Sequence, residues 1–133
     1  MDLSNISWFV QTYSPATIEE VAKIEAELSL SLPDVYKYFL ARSNGASANL
    51  AALYDTDSLI EMNCAYEVQE YAPGYVAIGN DNGGYHLLMK AEPSATEFRL
   101  VNDGDGVPST TDCVDDFESW LHSADGNPHR NEL

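Results

Sequence analysis

With 133 residues, 44% of them apolar and 11% aromatic, the chain suits one domain with a packed core, which excludes wholesale disorder and fibrous low-complexity architectures. Twenty-two acids against six bases give a formal charge of −16, so the surface repels phosphate backbones and anionic membranes and attracts cations or a basic protein. No run approaches the roughly 18 apolar residues of a membrane span, Met1-Asp2-Leu3-Ser4-Asn5 lacks a signal peptide's basic start, and the distant Cys64 and Cys113 suit reduced thiols better than a disulfide, so the sequence reads as a soluble cytoplasmic domain.

Leu3, Ile6, Val10 and Tyr13 recur at helical spacing and predict a short amphipathic helix closed before Pro15. Thr17-Ile18-Glu19-Glu20 reads as a capping box that opens a helix with Val21, Ile24 and Leu28 on its buried stripe. Leu32-Pro33-Asp34 breaks that helix and starts another, with Pro33 in its first turn and Tyr36, Phe39 and Leu40 facing inward. Asn44-Gly45 ends it, since glycine takes the left-handed conformation of a C-cap readily.

Residues 46–57 are ambiguous, and Leu50 to Tyr54 could form a short strand. Ser58-Leu59-Ile60-Glu61 reads as a second capping box, with Leu59, Met62 and Tyr66 on the inner face of a helix ending before Pro73-Gly74. Tyr75–Ile78 and Tyr85–Met89 then flank a turn-forming loop and should pair as a hairpin. Residues 75–101 are expected to form an antiparallel meander, with Gly83 and Gly84 supplying positive φ in its first loop and Phe98 and Leu100 alternating inward on the third strand. Asp112 could cap a last helix carrying Val114, Phe117, Trp120 and Leu121. Residues 1–122 thus read as one α+β domain, helices packed on a meander with a closing helix, and 123–133 as a polar tail that frays.

The ordered residues Val21, Ile24, Glu25, Leu28, Leu32, Pro33, Tyr36, Phe39, Leu40, Asn44 and Gly45 resemble the N-terminal signature of the SUKH superfamily. Ile78-Gly79-Asn80-Asp81-Asn82-Gly83-Gly84 is similar to that family's glycine-rich turn, and Phe117-x-x-Trp120-Leu121 to its closing aromatic helix, so the likeness spans residues 14 to 122. Ser29 stands where the family usually shows glycine, and Tyr85 where an acid is common. The resemblance implies function by binding: bacterial members are largely immunity proteins that neutralise toxin domains of contact-dependent and other polymorphic systems, many of them nucleases. Fungal relatives regulate cell-wall synthesis. These signature residues maintain the fold and name no toxin.

No chemistry-bearing pattern competes with that reading. Cys64, His86, Cys113, His122 and His129 show no metal-ligand spacing. Asp103-Gly104-Asp105-Gly106 fails as a calcium loop, because Val107, Pro108 and Val114 stand where an oxygen ligand, glycine and glutamate are needed. It also lacks the third glycine and the lysine of a phosphate loop. No nucleophile elbow or cysteine-nucleophile signature occurs, and carboxylate pairs among 22 acids carry no information. No enzyme activity, metal or cofactor is expected, and no nucleic-acid or membrane partner.

The expected partner is a protein, a toxin domain and most simply a basic nuclease, whose anionic substrate the carboxylates would mimic. The alternative is a regulatory or scaffold module that neutralises nothing. The candidate contacts are the loop acids Asp55, Asp57, Asp81, Asp103 and Asp105, with Tyr54 and Tyr85; Tyr71 and Tyr75 are also loosely placed. Glu25, beside the buried stripe, reads as a fold carboxylate that accepts backbone or tyrosine hydrogen bonds. The acids near Asp112, Asp115 and Asp116 read as caps and turns.

Overall fold

The first 45 residues fold much as their caps dictate. The computed structural model describes residues 3–132. Thr17 Oγ1 accepts from Glu20 N at 3.1 Å while Glu20 Oε1 accepts from Thr17 N at 2.9 Å, so the capping box opens helix α1 (Ile18–Leu28). Ser29, in the left-handed conformation at φ 52°, closes it. Pro33 stands at the N-cap of α2 (Asp34–Leu40), which buries Tyr36, Phe39 and Leu40. Asn44-Gly45 is not its C-cap: α2 ends at Leu40, and Gly45, at φ 93°, turns the chain onward while Asn44 Oδ1 accepts from Thr56 N at 2.9 Å.

The N-terminal helix is absent. Among the described residues that segment forms no helix: a turn at Ser4–Asn5 and irregular chain lead into the short strand β1 (Gln11–Thr12). Its helical periodicity is overruled by one anchor: Trp8 is 8% exposed, lies 4.9 Å from Trp120 between ring centroids, and donates Nε1–H to Leu121 O at 2.8 Å. Val10, a residue of the expected inner stripe, is 70% exposed, and its N–H donates to Ser47 O as an extended chain can.

Beyond Gly45 come β2 (Ala46–Ser47), β3 (Ala52–Leu53), α3 (Thr56–Ala65), α4 (Val68–Tyr71), β4 (Tyr75–Asn80), β5 (Tyr85–Lys90), β6 (Glu97–Asn102), β7 (Val114–Asp116) and α5 (Phe117–Leu121). The seven described strands make one sheet in sequence order, every neighbouring pair antiparallel. The α+β meander expected from the sequence is therefore the fold.

Four details differ. The N-cap of α3 is Asp55, whose Oδ1 accepts from Ser58 N at 2.7 Å, so no box forms at Ser58. The expected long helix breaks at Glu67, a non-glycine residue at φ 51°, which turns Val68 and Ala72 inward and leaves Tyr66 exposed. In the β4–β5 loop the positive φ belongs to Asn82 at 59°, not to Gly83 or Gly84, because Asp81 Oδ1 accepts from both Gly83 N and Tyr85 N and fixes the turn. Finally, Val114–Asp116 pairs with β6, Asp116 caps α5 through Ser119 N, and Asp112 instead receives Ser109 N at 2.7 Å.

Side chains alternate across the strands. Leu87, Met89, Phe98 and Leu100 face the aromatic core, where Trp120 lies 5.0 Å from Phe98 and Phe117 packs on Tyr36 and Phe39. The tail does not fray. Trp120 Nε1 donates to Gly126 O, Gly126 leaves no room for a Cβ against the Trp8 ring, and Arg130 grips the buried Asp115 with two hydrogen bonds of 2.5 and 3.0 Å.

Strand β4 bulges between Ala77 and Gly79. The buried Asn63 of α3 completes that irregular edge: it accepts from Ala77 N and donates to Ala77 O, both at 2.9 Å, as a neighbouring strand would. Nearby, the Tyr36 hydroxyl donates to Tyr54 O at 2.5 Å, with Ile78 O 3.1 Å away. Burial pushes that phenol well above its ordinary pKa, so it stays a donor.

Candidate functional site

Because His86 and Leu88 alternate with Leu87 and Met89, they point away from the aromatic core, to the sheet face where β5 and β6 meet α4. There they help line a cavity of about 200 Å³ with Tyr66, Val68, Tyr71, Val101 and the loop Asp103-Gly104-Asp105-Gly106. Two contacts seat this loop. Asp103 N donates to Gly84 O at 2.8 Å, and Gly106, at φ 67°, comes so close that an added Cβ would sit 3.2 Å from Tyr71 Cβ.

The cavity floor is polar. His86 is 4% exposed, and the Tyr66 ring stands edge-on to it at 4.4 Å between centroids. Its Nε2 lies 2.9 Å from Asp103 Oδ1, yet the two atoms are not aligned for a hydrogen bond. The contact is one of proximity only, since angle as well as distance decides a hydrogen bond. His86 Nδ1 also lacks a partner, so three buried polar atoms converge here unsatisfied. Burial pushes the imidazole pKa down against the opposing pull of Asp103 and Asp81, which favours the neutral ring.

Two acids, Asp103 and Asp105, line the cavity, and two more adjoin its lining residues in the chain: Glu67 lies between Tyr66 and Val68, and Glu70 precedes Tyr71. Glu67 and Glu70 of the α4 turn lie close enough to share a hydrogen bond, and this bond with the Glu70 charge raises the Glu67 pKa. Asp105 is exposed on the opposite loop. Tyr71 and Tyr66 add exposed aromatic surface between them. Among the described residues no group of three or more His, Cys, Asp or Glu side chains could hold a metal ion, and no helix is long and apolar enough to cross a membrane.

Of the residues nominated from the sequence, only Asp103, Asp105 and Tyr71 meet in this cavity. Tyr54 is not a loose surface ring: it is 6% exposed, and its hydroxyl accepts from Asn80 Nδ2 at 3.1 Å. Burial first, and then the Asp103 and Tyr66 charges, raise its pKa. Asp81 is also committed to the fold, with a side chain 10% exposed that receives Gly83 N, Tyr85 N and His129 Nε2. Burial alone would raise its pKa, but the His129 bond and the two amides outweigh that and lower it.

Tyr85 packs against His129, 5.1 Å away, beside a second, wider cleft between the 105–114 loop and the tail. Asp55 caps α3, and Asp57 is exposed in its first turn. The signature residues hold the frame. Glu25 Oε2 accepts from Leu32 N at 2.8 Å and pairs with Lys37 at 3.4 Å, which places it on backbone rather than on tyrosine. Leu32 and Pro33 are buried, and a Cβ on Gly79 would lie 2.2 Å from Ala52 O.

Sequence reasoning missed His86 as a floor residue, Tyr66 as its cover and the Glu67–Glu70 pair. The run Tyr85-His86-Leu87-Leu88-Met89 carried the signal for the first: a strand apolar on both faces places its histidine indoors.

Comparison with known proteins agrees with this frame. The family described as SMI1 / KNR4 (SUKH-1) matches residues 15–123. The uncharacterized protein YnaB of Bacillus subtilis (strain 168) is 29% identical over 110 residues, which cover 80% of this chain and 74% of YnaB. The chain belongs to the SMI1/KNR4 (SUKH-1) family.

Proposed function

We propose that the chain is an immunity protein: it binds and neutralises the toxin domain of a polymorphic or contact-dependent system, acts by binding rather than catalysis, and presents the cavity lined by Asp103 and Asp105 to a basic surface. The observation that carries this reading is the cavity lined by Asp103 and Asp105 and the exposed Tyr66 and Tyr71, with Glu67 and Glu70 next to those tyrosines in the chain, in a protein of formal charge −16. Immunity proteins are common in the family the sequence resembles, and a nuclease, which must attract phosphate, offers the complementary charge. Summed acids steer a basic partner at long range, while each exposed pair contributes below about 1 kcal/mol, so single changes do little and grouped changes act.

The test pairs this chain with the toxin domain of its own gene neighbourhood, sought as the C-terminal domain of any large adjacent reading frame. Co-expression should rescue cells from that domain. The variant Glu67→Gln/Glu70→Gln/Asp105→Asn should associate severalfold more slowly at low salt, and the difference should shrink once the Debye length falls well below about 8 Å. Melting temperature should hold or rise slightly, because like-charge repulsion is relieved. Absence of rescue overturns the immunity reading; rescue with unchanged association rates in the triple variant moves the interface elsewhere.

A further inference from the structure

We propose that the cavity between β5, β6 and α4 is a receptor for one arginine side chain of the protein partner, a statement that rests on the reading of the chain as a binder of a basic protein. Size points to a single side chain. The cavity is about 200 Å³, below the roughly 300–1,000 Å³ of pockets that enclose a whole cofactor or drug-sized molecule.

Its chemistry points to a guanidinium. Asp103 Oδ1 and His86 Nε2 are buried 2.9 Å apart without hydrogen-bond alignment, and His86 Nδ1 is buried with no hydrogen bond, whereas buried polar groups in folded proteins are almost always bonded. The neutral imidazole offers one acceptor nitrogen, and the carboxylate offers two oxygens. A guanidinium brings five donors in one plane, enough to serve the carboxylate edge-on and reach the imidazole as well. Tyr66 and Tyr71 supply the aromatic faces on which a guanidinium stacks, and both are partly exposed at the mouth. Lysine fits less well, since its compact ammonium is more strongly hydrated and cannot bridge two acceptors in a plane. Phosphate and carboxylate ligands are repelled by Asp103 and Asp105.

Tyr66 borders the entry, its ring edge-on to His86. That ring sits at the C-cap of α3, beside the left-handed Glu67 that separates α3 from α4. Filling the cavity then gives Asp103 and His86 the partners that the unbound chain does not provide.

The experiment titrates the ¹⁵N-labelled chain with a blocked Gly-Arg-Gly peptide and follows the His86 ring nitrogens and the amides of residues 101–106. Matched peptides carrying citrulline or lysine, and the free amine agmatine, form the other arms. We expect saturable shifts with the arginine peptide, and affinity at least about tenfold weaker for citrulline and lysine. Asp103→Asn and Tyr71→Ala should each weaken arginine binding by a similar factor. Tyr71 is exposed, so its variant keeps the test decisive even if Asp103→Asn does not fold. Equal binding of citrulline, or no saturation up to about 20 mM peptide, overturns the proposal. Agmatine binding about tenfold tighter than the peptide also overturns it, in favour of a small-molecule site. Cell rescue without arginine-dependent shifts removes the pocket and leaves the immunity reading; arginine-dependent shifts in a chain that rescues nothing do the reverse.

Discussion

Replacing Asn63 tests whether a side-chain amide truly stands in for a missing strand. Asn63 is fully buried and makes four hydrogen bonds: it donates to Leu59 O and Ala77 O, and accepts from Ala77 N and Gln69 Nε2, at 2.8 to 3.0 Å. In Asn63→Leu, a change of similar volume, the buried Ala77 keeps both backbone groups but loses both partners. Each orphaned group costs about 1–3 kcal/mol. The added leucine carbon returns part of that through apolar burial, about 0.8 kcal/mol per CH₂. We expect a net loss near 3 kcal/mol, a large share of the roughly 5–15 kcal/mol typical of a domain.

A second variant, Asn63→Asp, keeps the acceptor for Ala77 N but buries an unpaired carboxylate. Burial raises its folded pKa above the unfolded value of about 3.9, so the folded state binds the extra proton first. Its penalty should therefore shrink as pH falls through the raised value, and be least below about pH 4, where the protonated acid can donate to Ala77 O. Urea unfolding at constant m measures both. A loss below about 1 kcal/mol for Asn63→Leu, or a pH-independent deficit for Asn63→Asp, would refute the strand-mimic account.

Gly79→Ala should lower stability by about 2–4 kcal/mol in urea, because its Cβ would meet Ala52 O at 2.2 Å and force β3 from β4. Gly84→Ala, with no atom within 4 Å and no positive φ, should cost under about 1 kcal/mol, and equal losses would break this distinction. Ser29→Gly should raise stability by about 0.5–1 kcal/mol, since Ser29 holds the left-handed C-cap at φ 52°; a lower melting temperature would contradict it. His129 bridges Asp81 and Glu132 at 2.8 Å each; burial alone would lower its pKa, but these bonds raise it. Its contribution is thus complete below the unfolded pKa of about 6.5 and fades as pH rises through the higher folded value. His86, with a depressed folded pKa, acts in the opposite sense as pH falls below about 6.5, so the readout is the difference in melting temperature between wild type and His129→Gln across pH 5–9. A constant difference would mean that His129 does not latch the tail.

What was legible in the sequence was whatever local chemistry decides. Thr17 and Glu20 satisfy each other's amides within four residues, and the alternation of Phe98 and Leu100 names their strand without reference to anything else. The N-terminal segment was misread because its helical spacing is real but its burial is set 112 residues away, by Trp120 on Trp8. Asp112 and Asp116 are both good caps; only the pairing of Asp115 with Phe98 on β6 decides between them. The same limit applies to the candidate site. Asp103 and Asp105 were visible as loop acids, but their relation to His86, Tyr66 and Tyr71 depends on how α4 folds over the sheet.

The distribution of unfavourable features argues for where the chain works. Elsewhere the buried polar groups are served: Asn63 by Ala77, Tyr36 by Tyr54, Asp115 by Arg130, Thr56 by Asn44. Among the described residues, the buried side-chain atoms without a partner all belong to His86 and Asp103. Left-handed non-glycine backbone is spread over Ser29, Glu67 and Asn82, but the orphaned polar atoms share one corner. Random imperfection would scatter such costs across the molecule. Their concentration around one opening is what a binding surface produces when its polar groups are arranged for a partner rather than for the free chain. A ligand that satisfies those groups binds the folded state alone, so occupancy of the cleft stabilises the whole domain.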